Sequence, residues 1–224
     1  FANDIEFLTV WNVSDWSLAS RVKLKESSSM ALRHKGSELA TILYDAQGSS
    51  RRIGVVDATT GATIGKFDCP GFLDVWSIDF SNDGSFFAAG SGNGLYVWEN
   101  ASKKRVFYSG TDHQGTIEKL AVHPETSILA TADSLRRISQ WKLATAELLS
   151  TAQLAASEKE PLAVADLKFS PDGTHLAVAG AESALRYLVA ESGSLYRQFS
   201  ISERAKALSF SPDGSRIYTT HLSG

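Results

Sequence analysis

VADLKFSPDGTHLAVAGAESALRYLV, residues 164–189, spells out three short antiparallel strands. An apolar run through Val164, Leu167 and Phe169 meets the turn Ser170-Pro171-Asp172-Gly173 and restarts as Leu176-Ala177-Val178-Ala179. A polar break and a third alternating run follow. Alternation with period two, bounded by turn residues, is the mark of paired strands. Proline presets φ at the second turn position, and glycine accepts the positive φ that closes the turn.

The same grammar recurs along the chain. The last apolar residue before each such turn is Leu32, Phe80, Val122, Phe169 and Phe210, four steps that average 44.5 residues. The last large core residue of each third strand is Trp11, Val56, Trp98, Trp141 and Val189, again four steps averaging 44.5. Two rows with one period, at about 40–45 residues and four strands per unit, are the sequence mark of a propeller blade.

These units resemble the WD-repeat β-propellers, in a bacterial-type variety with Ser-Pro-Asp-Gly turns. The resemblance is carried by Phe169 to Gly173, Phe210 to Gly214 and the variant Phe80-Ser81-Asn82-Asp83-Gly84. The strand endings Val97-Trp98-Glu99 and Gln140-Trp141-Lys142 add to it, as does Asp112-His113 ahead of an inner strand starting at Ile117. It implies an all-β fold, a β-propeller of four-stranded antiparallel blades, and a binding platform rather than any one activity. In the family a histidine, a Ser/Thr, a turn aspartate and the third-strand tryptophan form a buried hydrogen-bonded chain. Here only His113, Thr131 and Trp141 approach that pattern, with Leu135 at the aspartate position and Asp133 two residues early. Trp98 and Trp11 keep the tryptophan, whereas Val56 and Val189 replace it, so apolar packing is expected to carry most of the blades.

Composition bounds the rest. At 224 residues, 43% hydrophobic and 21% charged, the chain is ordinary for a globular protein. A net charge of −3 does not point to nucleic acid or an anionic membrane, and no apolar run approaches a bilayer-spanning length. One cysteine, Cys69, excludes an internal disulfide or multi-cysteine metal site and fits a reducing, cytoplasmic setting. The N-terminal FANDIEFLTVW has no signal-peptide pattern and looks like mid-domain sequence.

A single domain is expected over 1–224: a half-blade over 1–25, blades over about 26–68, 74–109, 116–154 and 163–201, and a half-blade over 205–224. The first half holds third and fourth strands (Ile5 to Trp11, Trp16 to Val22), and the last holds first and second ones. Pairing the halves would close a ring of five blades; the alternative is part of a larger, seven-bladed ring. Helix-favouring Ala, Leu and Glu between Leu143 and Glu160 compete with a strand, but repeat position predicts a turn and outer strand over Ala144 to Ala152 and an acidic loop over Ala155 to Glu160.

Several motifs have plain structural readings. Gly90-Ser91-Gly92-Asn93-Gly94 leads into a strand, not the helix a phosphate loop requires. The five histidines show no metal spacing. Ser20-Arg21-Val22-Lys23 spells a nucleophile-like Ser-x-x-Lys, but on an outer strand. The sequons at Asn12 and Asn100 fall on turns.

The inner strand of each blade lines the central channel, and residues flanking its first core side chain point toward the channel mouth. That rule selects Glu26 and Ser28, Asp74 and Trp76, Thr116 and Glu118, Ala163 and Ala165, and Arg204 and Lys206, with Arg136 and Arg137 near the same rim. Such positions resemble the partner-binding face of WD-repeat proteins. Trp76 stands out as a large aromatic where burial is not demanded. The chain therefore reads as a non-catalytic scaffold or sensor module, needing no cofactor or metal, that binds a protein or peptide within a larger polypeptide or complex. One rival is a metal-dependent propeller hydrolase or lyase, for which the mouth offers only Glu26, Asp74 and Glu118; the other is a structural spacer.

Overall fold

A computed structural model describes residues 5–25, 30–33, 36–44, 51–67, 75–109, 113–154, 164–180 and 183–221. These form twenty strands and, among the described residues, no helix. β1 (Ile5–Trp11) and β2 (Leu18–Lys25) make a two-stranded sheet. Four antiparallel blades follow: β3 (Met30–Leu32) to β6 (Thr63–Phe67) with β4 (Glu38–Tyr44) and β5 (Arg51–Asp57) between; β7 (Val75–Phe80), β8 (Phe86–Ser91), β9 (Gly94–Glu99) and β10 (Arg105–Ser109); β11 (Ile117–Val122), β12 (Ile128–Asp133), β13 (Arg137–Lys142) and β14 (Glu147–Gln153); and β15 (Val164–Phe169), β16 (His175–Gly180), β17 (Ala184–Val189) and β18 (Leu195–Ser200). β19 (Ala205–Phe210) and β20 (Ile217–His221) make a second two-stranded sheet. Each blade runs inner strand to outer strand in chain order.

The core lies between the blades. Successive side chains of a strand face opposite sides of its sheet, so one strand serves two interfaces. In β9, Tyr96 and Trp98 pack toward the first blade with Phe67, Phe87 and Ile53, while Leu95 and Val97 pack toward the third with Ile117, Leu129 and Trp141. Phe67 and Phe87 stack at 4.8 Å between centroids, almost parallel. A third layer joins Ile138 and Ala132 to Leu167, Phe169 and Leu176, and a fourth joins Ala177 and Leu185 to Ala205 and Leu208. Gly90 belongs to this packing: a Cβ there would lie 2.5 Å from Ile117 Cγ2.

At the opposite end from the mouth the Ser-x-Asp-Gly turns close by one mechanism. Ser170 Oγ donates to Asp172 Oδ1 (2.5 Å), the Thr174 amide donates to the same oxygen (3.0 Å), and Gly173 takes a φ of +70°. Ser81 with Asp83 and Ser211 with Asp213 repeat the pattern. The hydroxyls of Ser211 and Ser215 push the Asp213 carboxyl down to about 2. Neighbouring turns also interlock. His123 accepts the Glu125 and Thr126 amides on Nδ1 (3.1 Å each), so Nε2 carries the proton it gives to the Gly173 carbonyl at 3.0 Å. Asn82 Nδ2 donates to the Pro124 carbonyl at 2.6 Å. Arg33 lies over Gly84 in the corresponding place.

The structure corrects some expectations. β1–β2 and β19–β20 remain separate sheets with no pairing between β20 and β1 among the described residues, so the five-blade closure is not formed. Matching strand complements do not fix the angle between blades, and that angle decides whether two edges meet. Trp11, read as a core residue, is 55% exposed, because among the described residues β1 pairs with β2 alone. Trp16, expected to open a strand, sits in the β1–β2 turn with a φ of +57°. The Ala-rich segment is the strand β14, whereas the acidic loop over 155–160 falls outside the described residues. The glycine stretch at 90–94 is a tight hairpin turn pairing Ser91 with Gly94. Asn100 is buried and donates to the Gly84 carbonyl at 3.0 Å, which leaves no room for a glycan.

A Cβ on Gly173 would lie 2.2 Å from His123 Cε1. Gly173→Ala is expected to cost about 2 kcal/mol or more, from the left-handed backbone plus the clash. The double variant with His123→Ala should lose less than the sum of the two singles by about 0.5 kcal/mol or more. Urea melts of the four proteins check this, and simple additivity would show that the two groups do not meet.

Candidate functional site at the channel mouth

Four inner strands share an irregularity. The register slips between Val75 and Ser77, Ile117 and Lys119, Val164 and Asp166, and Ala205 and Ala207. Trp76, Glu118, Ala165 and Lys206 are therefore the extra residues of four β-bulges at one position of the repeat. A bulge interrupts the ladder and re-aims its side chain. The four are the residues that the flanking rule placed after the first core side chain, so one backbone device presents an indole, a carboxylate, a methyl and an ammonium on consecutive strands.

Trp76 is 54% exposed and, among the described residues, makes no ring or cation contact. Arg204 and Lys206 are exposed as well. Glu118 is half-buried: its Oε2 accepts the Val164 amide of the next blade at 3.0 Å, and burial pushes its carboxyl up against that bond and the Lys119 charge. Thr116 is tied to its own blade, its amide donating to Ser134 Oγ at 3.0 Å. Arg136 occupies the adjoining turn with a φ of +66°, and the Arg137 guanidinium donates to Gln114. Asp74, Glu26, Ser28 and Ala163 lie outside the described residues.

The sequence reading missed the groups that hold these strands in step. Ser77 Oγ accepts the Leu120 amide of the next inner strand (3.1 Å), and Asp166 Oδ2 accepts the Leu208 amide (2.8 Å). Asp79 Oδ2 accepts the Val122 amide (3.2 Å). Ser77 and Asp166 occupy the same repeat position, where the third blade has Lys119, which cannot accept. There Glu118, one residue earlier, accepts a different amide, that of Val164 at the start of the next inner strand, while the Leu167 amide donates to Asp166 Oδ1 of its own strand. Glu118 thus has a blade-joining role that its place on a binding face did not suggest. A polar residue directly before the inner-strand core residue, Ser77 before Ile78 and Asp166 before Leu167, was the available signal.

Behind the mouth, His113, Thr131 and Trp141 form a buried cluster. His113 Nε2 lies 2.8 Å and Trp141 Nε1 2.9 Å from Thr131 Oγ1, whose own proton goes to the Ser139 carbonyl at 3.3 Å. Asp133 Oδ1 instead accepts the Leu135 and Arg137 amides (3.0 and 2.9 Å), shaping the turn. The equivalent of Thr131 is Ala89 in the second blade and Val178 in the fourth, so apolar packing replaces the cluster there; Trp98 is 1% exposed among Phe67, Phe87 and Tyr96.

Sheets of this form, repeated about a channel, define a class of propeller repeats, and comparisons with known proteins agree. A family model described as the anaphase-promoting complex subunit 4 WD40 domain matches residues 153–213, and one described as WD domain, G-beta repeat matches residues 62–99. Over 60 residues the chain is 42% identical to the mouse U5 small nuclear ribonucleoprotein 40 kDa protein and 40% to its human counterpart, covering 26% of this chain and 16% of each relative. Over 101 residues it is 32% identical to eukaryotic translation initiation factor 3 subunit I of Neosartorya fischeri, covering 44% of this chain and 27% of that protein. The chain thus spans well under a third of the length of these curated relatives. The matches support a WD-repeat family, and these relatives are all eukaryotic.

Two substitutions test the site's framework. Thr131→Val leaves the Trp141 and His113 ring nitrogens facing a methyl in a dry site, and should cost about 2–4 kcal/mol in urea unfolding, with Thr131→Ser close to wild type. Burial raises the Asp79 carboxyl above its ordinary 3.8, with the Lys168 charge opposing. The folded state then holds the proton more tightly than the unfolded chain, and stability falls as pH rises from 3.8 through the folded pKa. Asp79→Asn removes this dependence, so its stability relative to wild type should climb with pH across that window in paired melts.

Proposed function

We propose that this chain is a non-catalytic interaction module that grips a protein or peptide on its channel-mouth face, as part of a larger polypeptide or complex. The observation that carries this reading is the bulge shared by β7, β11, β15 and β19, one of whose extra residues is Trp76, with its indole half in solvent. Aromatic and arginine side chains dominate the energetics of such contacts. Arg136, Arg204 and Lys206 add charge elsewhere on the rim, to which the repeat also assigns Asp74 and Glu26. The similar proteins named as ribonucleoprotein and initiation-factor components lend support, because those names describe members of assemblies. A cytoplasmic setting fits the single cysteine.

Affinity capture with the wild type and with a Trp76→Ala/Arg204→Glu variant tests the assignment. The same bound protein should be recovered by the wild type and lost from the variant, whose unfolding midpoint stays unchanged. Equal recovery would move the binding face elsewhere.

A further inference from the structure

The mouth is not uniform around its rim. Trp76 and Glu118 stand at the same repeat position on adjacent inner strands, β7 and β11, which are locked side by side by the Leu120-to-Ser77 and Val122-to-Asp79 bonds (3.1 and 3.2 Å). Ala165 follows as a gap, and Lys206, with Arg204 beside it, stands beyond that on β19. One sector therefore carries an indole and a carboxylate on neighbouring strands, and another carries cations.

We infer that the sector between Trp76 and Glu118 receives a basic side chain, lysine or arginine, from the bound partner, and that the Lys206 sector faces an acidic residue of the same segment. The inference rests on the mouth being the binding face. An indole face attracts cations through its quadrupole, and more strongly when water is excluded. Glu118 spends only Oε2 on the Val164 amide. Its other oxygen is the acceptor for a charge-assisted bond. Half-burial penalises the carboxylate in the free protein, Lys119 compensates it in part, and an incoming cation would complete the compensation. An acidic side chain in this sector would meet a second carboxylate, whereas a neutral one would leave the indole without its electrostatic partner. Lys206 and Arg204 repel a cation from the far sector, which orients the segment.

The probe is a capped six-residue peptide with one arginine and one aspartate, beside versions with glutamine or lysine for the arginine. Binding is followed by the indole N–H resonance of Trp76, assigned with Trp76→Phe. The arginine and lysine peptides should shift that resonance saturably at millimolar concentration, the glutamine version should bind about tenfold or more weakly, and the arginine and lysine peptides should weaken by a similar factor on Glu118→Gln. Glu118→Gln keeps an acceptor for the Val164 amide, so the strands stay joined. Equal shifts by all peptides, or none at millimolar concentration, would overturn the inference. If a captured partner depends on Trp76 but is indifferent to Glu118→Gln, the cation inference falls and the mouth assignment stands; indifference to both removes the mouth as well.

Discussion

Blade registry rests on hydrogen bonds that inner-strand amides donate to side chains of the preceding inner strand. An inner strand borders the channel, so its edge amides have no ladder partner within their own sheet. A buried amide without an acceptor costs about 1–3 kcal/mol, and an open edge invites another chain to pair with it. Ser77, Asp79, Glu118 and Asp166 each cover one such amide across a blade boundary. The same bonds fix the height of neighbouring blades, which brings Trp76 and Glu118 level at the mouth.

Around that spine the apolar layers supply cohesion and the polar clusters supply uniqueness. Each layer draws on two sheets, so no blade has a complete core alone. The third blade adds His113, Thr131 and Trp141, while the second fills the same volume with Tyr96, Trp98 and phenylalanines. One backbone accommodates both solutions because strand pairing, and not the identity of the filling, sets the shape.

Strand order and blade spacing were legible because period-two alternation and the Ser-Pro-Asp-Gly turns are local signals. Trp98, Trp141 and the chain through Thr131 were legible from repeat position. Trp11 was not: its position in the repeat matches theirs, but its surroundings depend on neighbours that no local pattern encodes. The mouth residues Trp76, Glu118 and Lys206 could be ranked by position, yet the bulge that aims them is a two-strand property and left no mark in a single strand. The blade-joining role of Glu118 was hidden for a similar reason. It lies in a bond to the Val164 amide, a relation between residues more than forty positions apart.

The turns joining third and fourth strands carry Trp16, Gly61, Lys103, Ala146 and Gly193 in one left-handed conformation, at φ values from +52° to +72°. Glycine is at home there, and an alanine or lysine is not. Lys103 offsets its strain by laying its stem against Gly65 and its ammonium near the Phe67 ring, and Ala146 by burying its methyl and by donating its amide to the Lys142 carbonyl. Such tips are interchangeable cassettes, alike in backbone and independent in sequence. Grafting a foreign loop or a reporter peptide at Gly61 or Gly193 would decorate the rim farthest from the mouth without disturbing the spine.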